Sequence, residues 1–266
     1  MVHRRVPFAF ALLALASAAC SSSKATTTPS DGDASVSPDA SAEADAGASL
    51  AACGTAPHVK VDITVVGASL SDTPPRVPGA VFASPMCPEI TLTTDADGKI
   101  AGLIQKGLPF YGRFEAPGWA NTMIPEQLFE ADTPGLVVTL PPSLLGALIP
   151  GFGPDTSAIF VNGFKEGKGA CAALDGISFT VTSHPEAKVI YFSTDSIPTP
   201  VDGATATTAG GRAAINGLTL AEGEIVVTVE GVKAGCAVSF KKDTSTGRLP
   251  LGKGAITIAG AYLRDL

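Results

Sequence analysis

The residues in this chain best equipped for chemistry are its cysteines, its histidines and one short acidic turn. Beyond Cys20, the cysteines are Cys53, Cys87, Cys171 and Cys236. They form an even set with no Cys-x-x-Cys spacing and no histidine pair nearby, which favours two disulfides over a zinc site. Four cysteines permit three pairings. Asp95-x-Asp97-Gly98 has half of a calcium-loop spacing, but Thr93 stands where a further aspartate belongs and no glutamate follows at the right distance. An Asp-Gly hairpin turn accounts for the same residues. His58 opens an alternating apolar run and His184 sits in a Ser-His-Pro turn, so both read as surface histidines. Glu126 and Glu130 are four apart on what reads as a single helical turn, Pro125 to Glu130, and suit a solvated face. There is no Gly-x-Ser-x-Gly elbow, and Gly163 to Gly169 lacks the Gly-Lys-Ser/Thr ending of a phosphate loop and reads as a hairpin loop. The expectation is a non-enzymatic chain with no catalytic residue, cofactor or metal.

One aromatic group stands out. Trp119 is the only tryptophan, and Phe110, Tyr111 and Phe114 precede it closely. Strand alternation sends Phe110 and Phe114 to one face and Tyr111 and Arg113 to the other. Exposed, Tyr111 and Trp119 would stack on a sugar ring, which makes them the candidate ligand-binding residues. The competing reading has Trp119 capping a core.

The elements that position these residues are short strands. Charged residues are only 16% of the 266, while glycines number 29 and prolines 21. Frequent turn formers between short apolar runs favour an all-β chain. Val59, Val61, Ile63 and Val65 alternate strictly with polar neighbours, the mark of a half-buried strand. Further strands are expected at 79–83, 89–94, 99–104, 110–116 and 136–140, then at 157–161, 177–182, 188–192, 225–229, 236–240 and 255–259. The stretch 93–119 has a weaker echo at 207–231. Gly98 and Gly118 have the spacing of Gly211 and Gly231, and a base follows each first glycine, Lys99 and Arg212. The repeat implies two copies of one small β domain, 53–141 and 157–266. A connector, 142–156, carries a short apolar helix from Ser143 to Ile149 that packs on a domain. Each copy holds two cysteines, so the expected bridges are Cys53–Cys87 and Cys171–Cys236.

The first twenty residues read as an export signal: His3-Arg4-Arg5, an apolar core from Val6 to Ala16 too short to span a bilayer, and a small-residue site before Cys20. Ser17-Ala18-Ala19-Cys20 resembles a bacterial lipoprotein lipobox, which implies acylation of Cys20 and a membrane partner reached through an N-terminal lipid anchor. Residues 21–52 are rich in Ser, Thr, Ala, Asp and Pro with no aromatic. This disordered acidic linker buries too little apolar surface to fold, and its mean reach is roughly 30 Å. The net charge of −7 disfavours nucleic acid.

Gly79-Ala80-Val81-Phe82, Thr94-Asp95-Ala96-Asp97-Gly98-Lys99 and Phe114-Glu115-Ala116-Pro117-Gly118-Trp119 resemble the carboxypeptidase regulatory-like domain. Gly176-Ile177-Ser178-Phe179, Thr207-Thr208-Ala209-Gly210-Gly211 and Glu230-Gly231 follow the same pattern more loosely. The resemblance implies a transthyretin-like, Ig-like β-sandwich in each copy and no peptidase activity of its own. Such sandwiches serve as adhesion, spacer and carbohydrate-binding modules. The expected protein is an exported, lipid-anchored structural or interaction module of the cell envelope, in the outer membrane and facing the periplasm or the surface. The alternative is a carbohydrate-binding module. Envelope polysaccharide or an envelope protein is the expected partner.

Overall fold

The alternation at the start of the first copy does what period-two patterning requires. Val59, Val61, Ile63 and Val65 are all buried on one face of strand β2 (His58–Gly67). The computed structural model describes residues 50–69, 73–195, 197–218, 226–240 and 246–266. A two-residue β1 (Ala52–Cys53) precedes β2. After it come β3 (Val81–Ser84), β4 (Cys87–Thr93), β5 (Lys99–Gln105), β6 (Pro109–Glu115), β7 (Asn121–Leu128) and β8 (Thr133–Leu140). Helix α1 (Leu144–Ala147) follows, then β9 (Ser157–Lys165), β10 (Ser178–Val181), β11 (Lys188–Tyr191), β12 (Arg212–Leu218) and β13 (Val226–Val232). The chain ends with β14 (Cys236–Ser239), β15 (Thr246–Pro250) and β16 (Ala255–Asp265). The protein is all-β but for short helical turns.

In the first half, strands in the order β1-β5-β2-β8 face strands in the order β4-β3-β6-β7. Val61, Ile63, Ile100 and Val138 from one layer meet Phe82, Phe110, Phe114 and Ile124 from the other. Phe82 and Phe114 anchor this core with ring centroids 4.8 Å apart. In the second half, β11-β12-β9-β16 faces β10-β13-β15. Its own core joins Ile159, Val161, Ile215 and Leu263 to Phe179, Val229 and Leu249.

β16 ties the halves together. It runs parallel to β9 along one edge, while its first residues run parallel to β7 along the other, with Ala255 opposite Asn121 and Thr257 opposite Met123. Farther along that second edge it pairs with β14. One nine-stranded sheet therefore passes through both halves. Around the joint, Arg113 Nη1 donates to the Lys253 carbonyl at 2.9 Å, and Arg248 Nε lies 3.6 Å from Glu126 Oε2. Residues 50–266 form a single compact unit. Helix α1 lies between Pro142 and Pro150, and Leu145, Ile149 and Phe152 cover Phe160, Phe192, Ala214 and Ile256 on the outer face of the second half. Asn216 Nδ2 holds this connector by donating to the Pro150 carbonyl at 2.6 Å.

The repeat has a physical core that the glycine spacing only partly marks. Thr94 Oγ1 donates to the Val77 carbonyl at 2.7 Å and accepts from Ala80 N at 2.8 Å. Thr207 Oγ1 donates to the Leu174 carbonyl at 2.6 Å and accepts from Ile177 N at 2.9 Å. Backbone bonds match as well: Gly79 N to Thr94 O and Gly176 N to Thr207 O, then Val65 N to Gly98 O and Gly163 N to Gly211 O. Gly98 and Gly211 both take a positive φ, 69° and 63°, where a side chain would be strained. Gly118 and Gly231 are not equivalent. Gly118 turns after β6 with φ 81°, whereas Gly231 lies inside β13 opposite Phe179, at the place Phe114 holds opposite Phe82.

Three expectations are corrected, and one strand is added. Asp97-Gly98 is no hairpin turn, because β4 pairs with β3 while β5 pairs with β2. It is a corner between layers, and Asp95 Oδ1 holds it by accepting from Asp97 N and Lys99 N at 2.9 and 2.8 Å. Pro125 starts no helical turn; it sits in β7 where the β6–β7 register shifts, at the kind of irregularity that tolerates a residue without N–H. Asn162 to Lys165 continue β9 rather than forming a loop, because β16 pairs with them through Leu263. β15 was not expected: Thr246 to Pro250 is short and ends on proline, and it forms by pairing with β13.

Candidate functional site

Cys20 lies outside the described residues. Both expected disulfides are present, Cys53–Cys87 and Cys171–Cys236, each with Cα atoms 5.6 Å apart. The first links the edge strands β1 and β4 of opposite layers; the second fastens the 3₁₀ turn after β9 (Gly169–Ala172) to β14. Among the described residues, no group of three His, Cys, Asp or Glu is placed to hold a metal ion. No helix among them is long and apolar enough to cross a membrane.

The candidate sugar-stacking residues are not presented to solvent; Trp119 lies against the first core, as the competing capping reading has it. Phe110 and Phe114 enter the first core and Tyr111 takes the other face, but that face is the joint between the halves. Tyr111 is only 5% exposed, packed with Met123 and Ala255. Burial pushes its phenol above 10.0, Glu126 adds to the rise and Arg248 opposes it. Trp119 is half-buried against the first core. A Cβ on Gly67 would overlap its indole, so Gly67 is what admits the ring. Tyr111 and Trp119 do not form a platform.

His184 is buried at 5% rather than on the surface, with its Nδ1 2.8 Å from Ser183 Oγ. The turn folds it inward, as His184 N donates to Val181 O and His184 O accepts from Ala187 N. Glu126 is also buried, at 8%, because it faces the joint. His58 Nε2 contacts the Gly54 carbonyl at 3.2 Å.

The structure does bring one aromatic pair to a surface. Phe164 on β9 and Tyr262 on β16 are directly opposite in the parallel pairing. Their rings stack with centroids 5.0 Å apart and planes 19° from parallel. Both are half-buried, and they lie on the outer face, since Leu263 beside Tyr262 points into the core. The rings lean over Gly260. A Cβ there would come within 3.0 Å of Phe164 Cε2 and of Tyr262 Cε2 and Oη. Asn162 shares the face opposite Gly260. Arg264 Nε donates to Glu166 Oε2 at 2.7 Å on the same flank. Ser239 on β14 is directly opposite Tyr262, 6% exposed, and its hydroxyl has no hydrogen-bond partner among the described residues. Burial pushes the Tyr262 phenol above its ordinary value, with Glu166 raising it further and Arg264 lowering it.

Sequence reasoning missed this pair because its members are far apart in the chain and the parallel β9–β16 register is not visible locally. The available signal was Gly260-Ala261-Tyr262, a glycine two residues before a ring on one strand face, the spacing that leaves room for a ring to lie flat.

No protein-family model matches the chain, and no curated protein matches it. Among solved structures, the chain is similar to the TIE protein of Bacillus anthracis, with 14% identity over 79% of this chain and 34% of that one, at a TM-score of 0.25. It thus spans about a third of that protein's length. It is also similar to GBS52, the minor pilin of Streptococcus agalactiae, with 11% identity over 78% of this chain and 96% of that one, at a TM-score of 0.24. The shaft pilin SpaA from Lactobacillus rhamnosus GG matches with 9% identity over 79% and 99%, at 0.23. Scores this low carry nothing about function.

Proposed function

We propose that this protein is an exported, lipid-anchored, non-catalytic module of the cell envelope, a rigid two-sandwich unit held off the membrane by the acidic tether, which ends before β1 and not at residue 52 because Ala52 pairs with Leu103. The observation that carries the reading is the joint. A spacer or presenting module needs its parts held at a fixed angle. Here β7 and β16 share backbone pairing, and the Arg113–Lys253 and Glu126–Arg248 contacts cross the same seam. Two disulfides suit an oxidising compartment outside the cytosol. The segment ending at Cys20 supplies export and the acylation point.

The test is metabolic labelling with a palmitate analogue, followed by membrane fractionation, on the wild-type chain and Cys20→Ala. The expected result is a labelled wild-type protein in the membrane fraction and an unlabelled variant released from it. An unlabelled wild-type protein would overturn the anchor.

A further inference from the structure

We propose that the Phe164–Tyr262 pair, with Gly260, Asn162, Ser239 and the Arg264–Glu166 ion pair around it, is a binding platform for the sugar rings of an uncharged glycan. The proposal names a ligand class for the envelope module described above, and rests on that reading only for where the glycan is met. Three observations carry it.

The first is ring geometry. Two rings stacked on each other, half-buried and lying against a glycine, leave apolar ring surface on the outer face of the sheet. A pyranose presents an apolar C–H face of matching size, bounded by hydroxyls that need partners. The second is the rim. Arg264 supplies donors and Glu166 acceptors, and because the two neutralise each other the site has no bias toward a charged ligand. Asn162 supplies both a donor and an acceptor. Ser239, opposite Tyr262, adds a hydroxyl at the margin of the rings, buried and without a partner among the described residues, as Thr139 Oγ1 is in the first half.

The third is the other half of the molecule. In the first half Val66 pairs with Thr139 in the parallel β2–β8 register at the position where Phe164 pairs with Tyr262. The same strand pair is thus built without aromatics, so the fold does not require them. A glycine shielded by rings explains why Gly260 is tolerated in a strand. It does not explain why the second half alone has the glycine and both rings, where the first half has Val137, Val66 and Thr139.

The test is a set of depletion isotherms of the purified full chain on three probes, chitin, cellulose and peptidoglycan sacculi, at low and high salt. Saturable binding to at least one probe, unchanged by high salt, is expected, because stacking is not screened as surface charge is. Phe164→Ala with Tyr262→Ala should weaken it about tenfold, and Ser239→Ala about fivefold. Tyr262→Phe keeps the ring and should bind within about twofold of wild type, and Trp119→Ala should bind as wild type. Thermal melts establish which variants fold. If the double variant does not, Gly260→Ala replaces it, since its methyl displaces both rings and should also weaken binding. No saturable binding to any probe, binding abolished by high salt, or equal binding by a folded double variant or by Gly260→Ala overturns the platform. A chain labelled at Cys20 that binds no glycan sinks this inference alone; an unlabelled chain that binds sinks only the anchor.

Discussion

The two halves share a corner and part company one strand earlier. In both, a buried threonine and a left-handed glycine turn the chain from one layer to the other with the same hydrogen bonds. The strand before that corner differs. In the first half β4 folds back on β3 and stays in its layer. In the second β11 crosses to the opposite layer and pairs with β12. There β11 brings Tyr191 into the core, where its hydroxyl accepts from Phe179 N of the facing layer at 3.1 Å. In the first half the place beside β5 falls to β1, two residues long and parallel. The Cys53–Cys87 bridge ties that stub to β4, and a cavity of about 30 Å³ is left beside it, lined by Ile90, Leu92, Ile100 and Ile104. A full strand closes one flank and a covalent staple closes the other. The corner is what the two halves have in common; the flank is where they differ.

The largest expected effect breaks this contrast directly. Loop entropy favours the bridge closing the longer loop: Cys171–Cys236 spans 65 residues and Cys53–Cys87 spans 34. The chain-entropy model gives about 4 kcal/mol for either, slightly more for the longer. If the first bridge stands in for a missing strand, Cys53→Ser with Cys87→Ser will cost more than Cys171→Ser with Cys236→Ser, reversing the entropic order. Denaturant unfolding gives the totals, and amide exchange should show lost protection in β1 and β5. The entropic order with intact protection there would mean the staple closes nothing.

The next effect sharpens the shared part. Thr94→Val and Thr207→Val each remove a buried hydroxyl that both donates and accepts, leaving a carbonyl and an N–H to find new partners. Each should cost about 1–3 kcal/mol. Matching geometry predicts matching costs, read from the same denaturant midpoints. A cost confined to one half would show that the hydrogen bonds are alike and the corners are not.

Much of this was legible in the sequence, and the limits have physical causes. Period-two alternation located β2 and its buried face, because side-chain direction along a strand is set locally. The cysteine pairs followed from dividing the chain into copies. The Thr-rich turn marked the corner but not its partners: Asp97-Gly98 suits a hairpin as well as an interlayer corner, and only the destinations of β4 and β5 distinguish them. Tyr111 was placed on the correct face. What covers that face is β16, more than a hundred residues later, and no local pattern announces a parallel strand arriving from the other copy. Phe164 and Tyr262 were missed for the same reason in reverse, since the distant pairing creates the surface instead of burying it.

A smaller effect asks which half owns the connector. Leu145 and Ile149 pack on the second half, and Asn216 Nδ2 bonds the Pro150 carbonyl, while Asn216 Oδ1 has no partner among the described residues. Asn216→Ala should therefore cost about 1 kcal/mol and make residues 148–154 more susceptible to limited proteolysis, with no change in protection of the first half. Loss of protection in β7 or β8 would assign the connector to both.

The smallest effect is a pH limb. Burial raises both Tyr111, at the joint, and Tyr191, in the second core, above 10.0; for Tyr191 the bond from Phe179 N pulls the other way. A phenol whose folded pKa is raised holds its proton more tightly in the folded state. Its contribution is fully present below the unfolded value near 10.0 and is lost as pH rises through the folded pKa. Stability should thus fall with pH above about 10. The two tyrosines differ in neighbours, and that separates the joint from the core. Glu126, from the first half, raises Tyr111, and Arg248, from the second, lowers it. Glu126→Gln should move the Tyr111 tyrosinate absorbance step to lower pH, and Arg248→Ala should move it higher. Neither should move the Tyr191 step. A Tyr111 step indifferent to Arg248 would mean that the two halves part at the joint in solution, and the rigid seam would fail with it.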